Sequence, residues 1–182
     1  MYFESSKTLV YLCIMNLPEA REKFIQSWGS LGSQWGINKT MAQIHALLLI
    51  SAEPLTTEEV MEELQVSRGN ANINLRELIN WQLVRRETRA GERKDFFVAE
   101  KDMWTVFRLI FKERKKREID PMIQIIHQLG DVKGDKKNPE YKVFSEVLKD
   151  LNTLTNKGDK MMELVIKSDE SWFLNTFIKL MR

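Results

Sequence analysis

Apolar positions fall into blocks at three- and four-residue spacing, with one short stretch of a different period in the middle of the chain. The first block predicts a helix from about Pro18 to Trp35, with Asn16 as a cap and proline in the first turn. Phe24, Trp28, Leu31 and Trp35 form a stripe along it, and Gly29, Gly32 and Gly36 form a second stripe beside the first. Glycine costs a helix stability, so three in register point to close approach of another backbone. A second, strongly apolar helix over about Lys39–Ala52 should end at Glu53-Pro54. Thr56 and Glu59 then form a capping box, with Leu55 and Val60 as its hydrophobic staple, and open a short acidic helix over Thr57–Gln65. After a break at Val66-Ser67, Ser67 caps a further helix from Arg68 to about Gln82, whose inward face carries Ala71, Leu75 and Leu78.

The middle of the chain then changes period. Leu83–Glu87 reads as a strand, Arg89–Arg93 as a turn and Asp95–Ala99 as the returning strand. Helical spacing resumes near Asp102, with a break and restart expected at Asp120-Pro121 and a stop at Gly130. Residues 131–140 are polar and lysine-rich and read as a loop. Two amphipathic helices are expected beyond it, Tyr141–Thr155 and Lys160–Met181, separated by Gly158.

Composition narrows the functional classes. In 182 residues, 43% are apolar and 30% charged, enough to bury a core. A single cysteine, Cys13, excludes an intrachain disulfide framework and a thiolate zinc site, and two distant histidines, His45 and His127, argue against a metal centre. The net charge of +2 says little, but its distribution is segregated. Glu53, Glu58, Glu59, Glu62 and Glu63 lie together, whereas Arg85, Arg86, Arg89, Arg93 and Lys94 crowd the hairpin and a second basic run spans Lys112–Arg117. That second run reads as a solvated helix face, with phosphate contact from a dimer stem as the lesser reading. The run Leu9–Met15 is too short to span a bilayer and lacks the flanks of a secretory signal, so a cytoplasmic protein is expected. Residues 1–14 read as an upstream extension, native or artefactual. No spacing joins a nucleophile to a base or builds a phosphate loop, so an enzyme is not expected and no cofactor is called for.

A capped short helix, a tight turn, a second helix and a basic hairpin make up a winged helix-turn-helix. The fold expected is mainly α, with a two-stranded wing and N- and C-terminal dimerisation helices. It divides into an extension at 1–17, the winged unit with its first packing helix at 18–101 and a helical arm at 102–182. At 100° per residue, burying Ala71, Leu75 and Leu78 turns Gly69, Asn72, Ile73, Arg76 and Asn80 outward, and the first turn adds Arg68 and Asn70. Asn can pair with adenine, Arg with guanine, and Ile73 can touch a thymine methyl. Ser67 and the free amides at the helix start can hold a phosphate, while Arg93 and Lys94 at the wing tip suit a groove of strong negative potential. With Arg85, these residues are the candidate DNA contacts. The competing reading is a winged-helix module for protein contacts, with the hairpin charges merely solvated.

The runs Ser27-Trp28-Gly29, Trp35–Ala42 and His45–Leu48 resemble the start of the GbsR branch of MarR-like transcriptional regulators. Ser67–Ala71, Asn74–Leu78 and Leu83–Arg85 are similar to that family's recognition helix and its exit, Gly91–Lys94 to its wing, and Ala99–Asp102 with Trp104 to the entry of its dimer helix. The likeness covers roughly residues 18–130. It implies a prokaryotic homodimer on a pseudo-palindromic operator in double-stranded DNA, often as a repressor. Some members respond to choline-like osmoprotectants. Trp28, Trp35, Trp104, Phe107 and Phe111 could form an aromatic box for such a quaternary ammonium, although rings at helical spacing also suit a plain core.

Overall fold

The computed structural model describes residues 15–130, 132, 134–135 and 137–171. The extension proper, with Cys13, and the end of the last expected helix, from Trp172 to Met181, lie outside the described residues.

Helix α1 (Leu17–Gln34) begins as its sequence dictates. Asn16 Oδ1 accepts from the Glu19 amide at 2.9 Å, and the Glu19 carboxylate accepts from the Asn16 amide in return. The helix lies against α2 (Lys39–Ile50) through Gly29 and Gly32. A methyl group on Gly32 would stand 2.6 Å from Ala42 Cβ, so only glycine allows this approach. Gly36 does not continue that stripe: with φ +75° it takes the left-handed conformation just after the helix and faces open space. Helix α2 is the centre of the core, with Ile44, Ala46, Leu47 and Leu48 withdrawn from solvent. Its last carbonyls, on Leu48, Leu49 and Ser51, all accept from Lys101 Nζ at 2.6–2.8 Å.

Thr56 and Glu59 form the expected capping box at the start of α3 (Thr57–Leu64). Gln65, at φ 53°, closes that helix in the left-handed region. Ser67 Oγ accepts from the Asn70 amide at 3.3 Å and opens α4 (Arg68–Asn80). The wing is β2 (Val84–Thr88) paired antiparallel with β3 (Asp95–Ala99), from Val84 opposite Ala99 to Thr88 opposite Asp95. It has a neighbour that the sequence did not disclose. Leu55–Thr56 forms a two-residue strand, β1, which pairs with Phe96 and Phe97 and makes a sheet of order β1-β3-β2.

Two expected breaks are absent. Helix α5 (Met103–Arg114) passes through a single π turn, Lys115–Ile119, into α6 (Asp120–Gly130) without stopping at Asp120-Pro121. A π turn widens the helix and relaxes the backbone bonding that a proline ring would otherwise disrupt. Helix α7 runs unbroken over Pro139–Lys167 and passes straight through Gly158, where a side chain would meet nothing within 4 Å. One glycine costs only about 1 kcal/mol, too little to end a 29-residue amphipathic helix. Helix α5 seals the core with Val106, whereas no residue of α7 is fully buried.

Candidate nucleic-acid interface and the cavity behind it

Helix α4 is held by its inner face. Ala71, Leu75 and Leu78 are at most 1% exposed, and the buried Asn74 donates to the Asn70 carbonyl at 2.8 Å. That packing turns the opposite face of the helix to solvent. Ile73 is 69% exposed, flanked by the exposed Arg76 and the half-buried Asn72. Gly69 and Asn80 are also exposed. Water around a bare isoleucine is unfavourable, and nothing in the fold requires it there.

The remaining candidates divide by what they already touch. Asn70 is turned partly inward. Its amide reaches Thr40 Oγ1 at 3.4 Å and its Oδ1 accepts from Asn74 at 2.7 Å, so it ties α4 to α2 rather than offering a free base-reading edge. Ser67 is occupied as the cap. Arg68 pairs with Glu58 at 2.8 Å and Arg85 with Glu87 at 2.9 Å, both in exposed positions where such pairs exchange readily with water. Among the described residues, Arg76, Arg93 and Lys94 make no ion pair. The wing turn is shaped by Gly91 at φ +82° and by the Glu92 amide donating to the Arg89 carbonyl at 3.1 Å. Behind it the Arg89 guanidinium lies 4.2 Å from the centre of the Phe96 ring. The acidic stretch sits close by. Glu59 is held below the usual carboxylate range, first by the Thr56 amide and hydroxyl, with the charge of Lys94 adding to them.

The basic run Lys112–Arg117 is largely exposed, as expected of a solvated face, but Lys115 is drawn in and several of the run's charges are paired. Lys115 pairs with Asp120 at 2.7 Å and with Asp159 of α7 at 2.8 Å, and these bonds raise its pKa. Arg114 pairs with Glu118 at 3.1 Å. Arg117 bonds Glu77 of α4 and lies 4.8 Å above the ring of Trp81. Sequence reasoning missed this cluster. Glu77 and Trp81 stand one turn apart and could have suggested a shared cation, but nothing local pointed to Arg117.

Behind α4, a cavity of about 160 Å³ lies among α1, α2, the end of α4 and α5. Trp28, Trp35 and Phe107 line it, as the aromatic-box reading expected, together with Trp81 and His45. Trp104 and Phe111 do not. Trp104 Nε1 donates to the Ser168 carbonyl at 3.3 Å, and Phe111 packs on Phe107 with ring centres 4.4 Å apart. No carboxylate is among the lining residues. His45 is 3% exposed and its Nε2 has no hydrogen-bond partner among the described residues. Burial, and secondarily the charge of Lys101, lower its pKa from 6.5 to about 4, so the ring is neutral at pH 7. Among the described residues, no group of acidic, histidine or cysteine side chains could hold a metal, and no helix is long and apolar enough to cross a membrane.

A capped helix pair, an exposed outer face on its second helix and a basic wing define a winged helix-turn-helix protein. Known proteins make the class more specific. Residues 35–95 match the model of the MarR family. The chain is 27% identical over 112 residues to the HTH-type transcriptional repressor GbsR of Bacillus subtilis (strain 168), a match spanning 62% of each protein. It also superimposes on a crystal structure of a transcriptional regulator with a TM-score of 0.61, covering 81% of this chain and 95% of that one at 19% identity, which shows a shared fold. The chain is therefore similar to the MarR family over residues 35–95 and to GbsR over 62% of its length, the likeness that residues 27–104 suggested from the sequence.

Proposed function

We propose that the protein is a transcriptional regulator, not an enzyme. In this reading it binds double-stranded DNA sequence-specifically in the cytoplasm, as a homodimer on a pseudo-palindromic operator, and acts as a repressor. The observation that carries the reading is Ile73, held in water on the outer face of α4 beside the unpaired Arg76. Thymine methyls and guanine edges in a major groove give both side chains the partners they lack. Ser67, Arg68, Gly69 and the first-turn amides serve the backbone phosphates; Arg85, Arg93 and Lys94 extend the contact along the wing, and Asn70 orients the helix. Two-fold pairing is supported by the arm, where Val143, Val147, Leu154 and Met161 of α7 are each more than half exposed in a single copy.

A small effector would act through the cavity behind α4. The family resemblance of the sequence implies a quaternary ammonium osmoprotectant, which would sit against Trp28, Trp35 and Phe107. The neutral His45 and the absence of a lining carboxylate equally suit an uncharged guest with one hydrogen-bonding group.

The test is selection of bound genomic fragments followed by a salt titration on the selected site. Arg76→Ala and Asn72→Ala should each cost about 1–3 kcal/mol and relax base preference, while Arg93→Ala should weaken all sequences alike and lower the salt slope by about one. Binding that is absent, or insensitive to salt, would instead favour a module for protein contacts.

A further inference from the structure

The side chain that joins the recognition helix to the arm is Arg117. It occupies the π turn, bonds the Glu77 carboxylate of α4 and covers one face of Trp81, while its Nε stands 3.9 Å from Glu113 on its own helix. Glu77 is gathered from three sides. Trp81 Nε1 donates to it at 3.0 Å, Asn80 at 3.4 Å, and Arg117 completes the set. These contacts hold the carboxylate below its usual range, the Trp81 indole contributing most. The same π turn reaches the other way through Lys115, which bonds Asp159 of α7. A π turn is seldom kept without a use, because its hydrogen bonding is poorer than that of the α-helix around it. Here it carries one tie to the reading helix and one to the longest helix of the arm.

We propose that the Arg117–Glu77–Trp81 latch fixes the angle at which α4 leaves the arm, and so sets the spacing between half-sites that the dimer accepts. This rests on the DNA-binding reading above. Two reading helices that meet successive major grooves must stand about one helical turn, 34 Å, apart, and each added base pair displaces a half-site by about 3.4 Å while rotating it around the duplex. A small rotation of α4 about its outer end is therefore a change in preferred spacing, with base preference unaltered. Arg117 acts here as a positioning residue and touches no base. Trp81 also lines the cavity, so a guest there would lean on the latch.

The experiment measures binding of the intact protein to its selected operator and to versions with one or two base pairs inserted or deleted between half-sites. The wild-type protein should lose about tenfold in affinity for each altered spacing, comparable to forfeiting a base contact. Arg117→Gln and Glu77→Gln should flatten that profile while leaving the preferred half-site sequence unchanged, and Arg117→Lys, which keeps the charge but loses the planar fork, should fall between. Melting temperature is followed alongside. The Arg117–Glu77 pair is partly exposed, so a variant that has only lost stability shows lower affinity at every spacing with an unchanged profile. Such an unchanged profile overturns the proposal alone. Failure of the wild-type protein to bind any duplex overturns the functional reading beneath it.

Discussion

Acid should strip stability from this protein in a measurable step that belongs to His45, over and above the loss at its depressed carboxylates. Its ring is 3% exposed, 6.1 Å from the centre of Trp28, and ionises at about 4 instead of 6.5. The unfolded chain takes up a proton near 6.5 while the folded chain resists until about 4. The unfolded state thus binds more protons throughout that window, and stability falls as the pH falls from 6.5 toward 4. At 1.36 kcal/mol per pKa unit the full loss is about 3 kcal/mol, and about 2 kcal/mol of it is gone at pH 5. His45→Leu fills similar space without a titrating group and also removes the unpartnered Nε2, so the variant should be at least as stable as wild type at pH 8. Urea unfolding followed by tryptophan fluorescence at pH 8, 6.5, 5.5 and 5 gives the comparison. Every other titrating group is common to both proteins, so the difference isolates His45. Wild-type and variant stabilities that fall in parallel would refute the reasoning.

Three further outcomes follow from the packing and the exposed face. Gly32→Ala should destabilise by about 1–3 kcal/mol, because Ala42 Cβ stands 2.6 Å from the new methyl and sits on a helix that cannot yield. Gly29→Ala meets the side chains of Gln43 at 2.6 Å and Lys39 at 3.5 Å, which can swing aside where a Cβ cannot, and should cost less than Gly32→Ala, so equal melting temperatures for the two variants would count against the interface described. Lys101→Met removes three bonds to the end of α2 and should cost about 1 kcal/mol, measured by denaturant titration, with faster amide exchange at Leu49–Ala52. Ile73→Ala should leave the melting temperature within about 1 kcal/mol of stability while weakening binding to the selected operator, and a loss of fold without a loss of binding would reverse its assigned role.

What the sequence discloses depends on how far apart the partners stand. The caps at Asn16, Thr56 and Ser67 are legible because each bond closes within three residues. The outward turn of Ile73 is legible because three apolar neighbours fix the helix's phase. Asn70 looks free in the sequence and is not, since its partner Thr40 lies thirty positions away. Strand β1 is two residues long, too short for any period, and exists only because Phe96 and Phe97 pass beside it. Proline at 121 and glycine at 158 carry strong local signals for a break, yet the π turn absorbs the first and the length of α7 overrides the second. The rings proposed for an aromatic box are only partly brought together. Ring spacing brings Trp28, Trp35 and Phe107 to one cavity, whereas Trp104 is drawn off by the Ser168 carbonyl.

The bareness of α7 has a consequence for how the protein would be controlled in a cell. A helix of 29 residues that withdraws none of them fully from water would, in the proposed homodimer, owe part of its shelter to the second copy. Under that proposal abundance becomes a lever in its own right: dilution, as after a division or a pause in synthesis, would loosen the arm.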